Sequence, residues 1–307
     1  DWGYNAQGQP VLNAIAMNKY LDAAGTTPAS DTDWFDETTR TGVIQNYNVA
    51  VSNGNAKGSS YFSLGYYKNL GIIKTSDFER YSARMNSDYK LIGDVLTVGE
   101  NFTLNRTSEV QAPGGFLQNV LQFNPSLPVY TTDGSYAGPV GGYPDRENPV
   151  ARLNRNRDNR YTYWRMFGDA WVNLKLFKGF NIRSTFGLDY SQKQQRIFTY
   201  PVTEGNVANS TNAVEAKQEH WTKWMWNAVA TYNLVAGKNR FDVMAGIELN
   251  REDDVNFSGK KEDFIILQPD YMWPDAATGS AQAFGSGGGY SLVSFFGKVN
   301  YNYDYYD

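Results

Sequence analysis

The chain has no cysteine and a single histidine among its 307 residues. Disulfide frameworks, thiol nucleophiles and thiolate metal sites are excluded, and little remains for histidine-based catalysis. No apolar run approaches the roughly 18 residues of a membrane-crossing helix, which excludes a helical membrane protein. Gly285–Gly289 (GSGGG) lacks the strand-then-helix setting of a phosphate loop and reads as a flexible loop. A net charge of -4 offers no basic footprint, so no nucleic-acid partner is expected. No enzyme activity, catalytic residue, metal site or cofactor is expected from these absences. No signal peptide is visible at Asp1, and the chain opens mid-loop, reading as a mature or incomplete segment.

What the chain does have is aromatics, 22 Tyr, 17 Phe and 8 Trp, in a sequence whose mean hydropathy is only -0.54. The stretch Phe78–Asn105 shows how they are arranged. Tyr81, Ala83, Met85 and Tyr89 alternate with Ser82, Arg84, Asn86, Asp88 and Lys90. After Gly93-Asp94, Leu96, Val98, Phe102 and Leu104 alternate with Thr97, Gly99, Asn101, Thr103 and Asn105. Side chains of a strand alternate faces, so this is a hairpin with one apolar and one strongly polar wall. Each half is about twice the 5 to 6 residues usual in a soluble sheet, the length a tilted strand needs to cross a bilayer. The expected fold is all-β, a transmembrane antiparallel β-barrel.

The same alternation marks nine segments, at Val43–Ser52, Ser60–Lys68, the two halves above, Tyr163–Leu176, 180–191, Trp221–Leu234, 241–250 and Tyr290–Tyr303. Connections after odd segments are tight and those after even ones longer, the asymmetry of periplasmic turns and extracellular loops. Odd strands then descend and even strands rise. Residues 1–40 are expected to form an extracellular loop region with a short helix, compatible with Val11–Ala24. Residues 41–307 are expected to be barrel, with long extracellular loops at about 106–160, 192–217 and 251–289. Nine strands leave an unpaired edge, and unpaired ladder groups cost several kcal/mol each in lipid, so these strands are expected to be an incomplete set from a larger barrel.

The run Thr32–Lys90 resembles the segment after the first barrel strand of SusC/RagA-type TonB-dependent outer-membrane transporters. The marks are DWFDE, RTG before the first strand, YFSLGYYKNLGIIK and DFERYSARMN, and Tyr290–Asp307 resembles a mid-barrel strand of the same family. The resemblance implies a barrel of about 22 strands with a plugged lumen. It also implies a SusD-like surface lipoprotein as partner, outer-membrane lipid around the wall, and TonB acting through a plug not present in this segment. The implied activity is nutrient uptake, the import of oligosaccharides or peptides across the Gram-negative outer membrane. A passive porin or structural barrel has the same strand signature, and a soluble glycan-binding β-sandwich is the reading furthest from it.

Candidate ligand- or partner-facing loop residues are Tyr130, Tyr136, Tyr143, Arg146, Arg160 and Trp273. The lumen-facing polar set includes Arg84, Asp88, Lys90, Arg183 and Asp189. The arginines of Arg146–Arg160 suit an anionic or glycan ligand, although charge runs commonly stay solvated. Asp31, Asp33 and Asp36 lack the glycine and distal glutamate of a calcium loop. His220 fits an interfacial position, and Trp224, Trp226 and Tyr232 fit the lipid face or girdle. Glu100 falls on the apolar side of its strand, where a bulge at Gly99 would be needed to turn it inward.

Overall fold

The computed structural model describes residues 2–12 and 19–305 and gathers the alternating segments into one antiparallel sheet of nine strands. These are β1 (Val43–Asn55), β2 (Gly58–Leu70), β3 (Asp77–Ile92), β4 (Leu96–Val110), β5 (Arg160–Phe177), β6 (Phe180–Thr199), β7 (Ala213–Ala236), β8 (Asn239–Glu262) and β9 (Gln282–Tyr303). Each pairs with its neighbours in sequence, and β1 and β9 are the sheet's two edges. Short connections, Ala56–Lys57, 93–95, 178–179 and 237–238, follow the odd strands. Gly179 and Gly237 take φ +84° and +62° there, values a side chain would strain against. The connections after even strands are longer, at 71–76, 111–159, 200–212 and 263–281.

Two expected loops are shorter than their alternation suggests. Residues 192–199 and 213–217 belong to β6 and β7, and 251–262 and 282–289 to β8 and β9, so GSGGG lies in a strand. Here apolar residues such as Phe198, Val214, Val255 and Phe257 are scattered among polar residues and glycines, and the alternation fades from the sequence although the ladder continues. At about 3.3 Å per residue, the 24 residues of β7 run about 80 Å along the strand. Even tilted by about 45° they rise well beyond a hydrocarbon core of roughly 30 Å. The outer halves of β6–β9 therefore need no apolar face.

The apolar positions meet across β1–β5. Val49 lies opposite Leu64, Leu64 opposite Ala83, Ala83 opposite Leu104 and Leu104 opposite Met166. This face is bare: Val49 is 74% exposed, Leu64 52% and Phe295 78%. Among the described residues neither a helix nor a second sheet covers it, which excludes the sandwich. An apolar face with no protein cover is what a hydrocarbon surround requires. Tyr47, Tyr66 and Tyr81 form a row of neighbouring rings at its outer edge, with centroids 6.3 and 5.1 Å apart. Trp224 and Trp226 share the face, the Trp226 indole N–H donating to Ser184 Oγ at 3.0 Å. His220 does too, its Nδ1 lying 3.5 Å from the Tyr190 hydroxyl.

Glu100 stays on this face. The register is unbroken past Gly99, pairing Asp88 with Gly99 and Ser87 with Glu100, and the only irregularity in that hairpin lies between Lys90 and Ile92. No bulge turns the carboxylate inward. It instead accepts the Ser87 hydroxyl, its cross-strand neighbour. Gly99 serves another purpose, since a Cβ there would strike the Trp171 ring.

Protein-covered core lies in the loops and at the outer strand ends, where Phe264, Met272 and Ala277 of the β8–β9 loop bury Phe198 of β6 and Val214 of β7. Helices α1 (Trp34–Thr38), α2 (Phe116–Gln122) and α3 (Pro149–Asn156) bury Trp34, Phe116, Val120, Phe123, Leu127 and Leu153 in one cluster. Trp34 and Phe123 meet edge to face at 4.7 Å, and the Trp34 indole donates to Asn124 O at 3.0 Å. The DWFDE motif builds this: Asp33 caps α1 by accepting from the Phe35 and Asp36 amides, which turns Trp34 inward. Arg40 of RTG donates to Gly71 O at 3.0 Å and Ser76 O at 2.7 Å, fastening the β2–β3 loop beside the approach to β1. Of the helix compatible with Val11–Ala24, residues 13–18 lie outside the described residues. Pro10–Leu12 is instead a short strand pairing with Trp2–Tyr4, and residues 19–25 form turns. Asp22 favours a turn there by accepting from the Thr26 and Thr27 amides.

Candidate functional site

The polar face opposite the bare one carries most of the sheet's charge. Arg84, Asp88, Lys90, Arg183 and Asp189 all lie on it, as their register shows: Arg84 is opposite Thr103, Thr103 opposite Phe167 and Phe167 opposite Asp189. Arg165 grips Asp189 bidentately at 2.9 and 2.6 Å. Asn101 donates to Asp169 at 3.2 Å, and Lys90 pairs with Asp94 at 2.9 Å. Such half-exposed pairs contribute little to stability, about 0–1 kcal/mol each. Their effect is to keep one wall wettable.

Two aromatics sit among these charges. Phe167 and Trp171 belong to the polar face of β5, where they interrupt Arg165, Asp169 and Asn173. The Arg183 guanidinium stacks on Trp171 at 4.1 Å and that of Arg165 on Phe167 at 4.9 Å. Alternation alone obscures them, because an aromatic on a strand reads as membrane-facing until register assigns its side.

At the outer ends of β7–β9 the polar face hollows into a cavity of about 620 Å³, lined by Glu215, Lys217, Glu219, Asn256, Lys260 and Phe284 among others. Lys217 lies 3.7 Å from Glu215, Lys260 2.7 Å from Glu262, and Asn256 donates to Ser286 Oγ at 2.6 Å. Mixed charges, amides and the phenyl rings of Phe257 and Phe284 suit a polar, uncharged or zwitterionic ligand better than a strongly charged one. Sequence reasoning missed this hollow because its strands read as loops.

Of the six loop candidates, Arg160 and Trp273 share a cavity of about 560 Å³ with Asp158 and Arg196, and the other four lie apart from it. Tyr130 and Tyr136 stack at 5.3 Å, and Tyr143 shares a 2.9 Å hydrogen bond with Ser126, all in the helical loop cluster. Arg146 lies in the same long loop. Arg160 opens β5 on the outward face, donating to Asp77 at 2.6 Å and Ser108 at 3.1 Å. Trp273 belongs to the β8–β9 loop, under the Arg196 guanidinium at 4.1 Å.

The loop cluster is locked by a buried ionic knot. Glu204, 1% exposed, accepts from Arg155, which also donates to Glu147 at 2.6 Å. The Asn148 amide donates to Glu204 at 2.6 Å, and the Asn148 side chain donates to Val129 O and Ala137 O at 2.9 and 2.8 Å. Burial pushes the Glu204 carboxyl above its usual range, against the pull of Arg155.

No family model matches the chain. It is 28% identical over 294 residues to the TonB-dependent receptor P26 of Formosa agariphila, covering 88% of this chain and 28% of that protein. It is 26% identical over 299 residues to the TonB-dependent receptor SusC of Bacteroides thetaiotaomicron, covering 89% of this chain and 29% of that protein. The sheet superposes on the RagAB peptide importer in its open-open state with a TM-score of 0.75 at 17% identity, covering 96% of this chain and 35% of that one. The chain thus spans under a third of the length of the curated relatives it matches. In sequence it is similar to SusC-type TonB-dependent receptors, and its nine-stranded sheet matches part of the wall of such a barrel.

Proposed function

We propose that this segment forms part of the wall and outer mouth of an outer-membrane nutrient importer. The observation that carries the reading is the sheet's two-sidedness, a bare apolar face backed by a continuous charged one, joined by short turns at one end and long loops at the other. Similarity to TonB-dependent receptors supports energised import over passive flow. In this reading TonB acts through a plug elsewhere in the protein, and the charged face hydrates the lumen and touches that plug.

The cargo is an oligosaccharide or a peptide, admitted past the mixed-charge hollow at β7–β9, and a SusD-like lipoprotein closes over the loops. Exposed apolar groups on those loops, Leu121 at 79% and Ile265 at 87%, suit a protein lid. The test is uptake of labelled oligosaccharides and peptides by cells carrying the full-length protein, with and without TonB. Uptake is expected only with TonB, and the isolated protein is expected to stay closed in planar bilayers. Steady open conductance or TonB-independent uptake would make it a porin.

A further inference from the structure

The bare face is not uniformly smooth. In the row Val49, Leu64, Ala83, Leu104, the alanine lies between two leucines and leaves a notch, part of a groove of about 440 Å³ lined almost wholly by apolar atoms. One step further out along the strands, the next row is Tyr47, Tyr66, Tyr81, Arg106 and Trp164, which closes the groove's outer end. The groove thus runs down into the apolar band from a cation in the aromatic belt.

That cation is not neutralised by the protein. Among the described residues no carboxylate forms an ion pair with Arg106, whose guanidinium lies over the Trp164 ring, 5.7 Å from its centroid. The other charges on this face at that level are Lys68 and Glu79, which stand opposite each other in register. Glu79 is further held by the Tyr66 and Tyr81 hydroxyls, at 2.9 and 3.3 Å. Among the described residues neither Lys68 nor Arg106 is ion-paired with Glu79, so this level carries one net positive charge, and Arg106 is the cation that lines the groove. At the edge of hydrocarbon an arginine is stable when it meets an anion of the headgroup layer, and its planar fork suits phosphate.

We infer that this groove is a binding site for one phosphate-bearing lipid of the outer leaflet. An acyl chain lies in the Ala83 notch and the phosphate lies on Arg106, backed by Trp164. The site is on the outside of the wall, and its function would be to anchor a boundary lipid against β1–β5. This goes beyond import, so its failure leaves the transport reading standing.

The test uses the full-length protein in detergent, titrated with lipid A and with dephosphorylated lipid A and read by native mass spectrometry. The wild type is expected to prefer the phosphorylated lipid by about tenfold, the scale of one charge-assisted hydrogen bond. Arg106→Gln is expected to erase that preference while still binding both. Ala83→Phe, which fills the notch, is expected to weaken both lipids while keeping their ratio. Equal binding of the two lipids by the wild type, a preference that survives Arg106→Gln, or unchanged binding by Ala83→Phe would each overturn the proposal. So would an Ala83→Cys variant that forms disulfide-linked dimers whether or not lipid is present, since the groove would then hold a second copy.

Discussion

The loop cluster and the outward face of the sheet use the same kinds of residue and treat them in opposite ways. Trp34 and Leu127 are 4% and 1% exposed, whereas Val49 and Phe295 are 74% and 78% exposed. In the loops, apolar groups are removed from water by one another, as in any soluble core. On the sheet they are left for the surrounding lipid. The charges are inverted as well. The loops bury Glu204 beneath a mostly covered Arg155, while the sheet leaves Arg165 and Asp189 half in solvent. One chain thus contains a soluble fold and a membrane fold, and the solvent decides which residues count as core.

Breaking the two ion pairs should separate the regions most. Arg155→Ala strands a buried carboxylate and is expected to cost the loop cluster about 3–5 kcal/mol, seen as faster proteolytic nicking within residues 111–159 of the intact protein. Arg165→Ala is expected to cost about 0–1 kcal/mol, because its partner can be hydrated. Similar effects from both would mean that the loops are not a packed domain.

Neighbouring positions on β1 sharpen the contrast. Val49→Lys places a charge in the hydrocarbon zone and is expected to cost about 2–4 kcal/mol in denaturant unfolding from lipid vesicles. Ala50→Lys, on the polar face one residue away, should change stability by under about 0.5 kcal/mol. Equal costs would place both faces in the same medium.

The smallest effect concerns pH in the loops. The Thr26 hydroxyl, with the Thr26 and Thr27 amides, holds the Asp22 carboxyl down to about 2 from 3.8. A depressed folded value means the turn's support is complete above about 3.8 and is lost as pH falls toward 2. Hydrogen exchange at the Thr26 and Thr27 amides should accelerate over that window, while the β1–β2 ladder amides show no such step.

Much of this contrast was legible beforehand. Tyr81, Ala83, Met85 and Tyr89 announced the bare face, and the spacing of turns gave the strand order. The outer ends of β6–β9 were not legible, because Gln192–Thr199 and Gly285–Gly289 have no apolar phase to read once the ladder leaves the membrane. The sequence offered Tyr130, Tyr136, Tyr143, Arg146, Arg160 and Trp273 as separate loop candidates, and which of them meet depends on the chain path, which brings Arg160 and Trp273 to one cavity. Phe167, Trp171 and the cavity at Glu215 and Lys260 became visible only when register assigned each side chain to a face.

By itself the sequence determined that the chain is a two-faced antiparallel sheet with its loops at one end, since a period of two follows from backbone geometry and needs no partner strand to be read. Only the tertiary structure decided that Glu100 stays outward beside Ser87, that Gly99 makes room for Trp171, and that the loops own a core. Each of those depends on which residue stands across the ladder or across a loop, and that distance is not encoded in any local pattern.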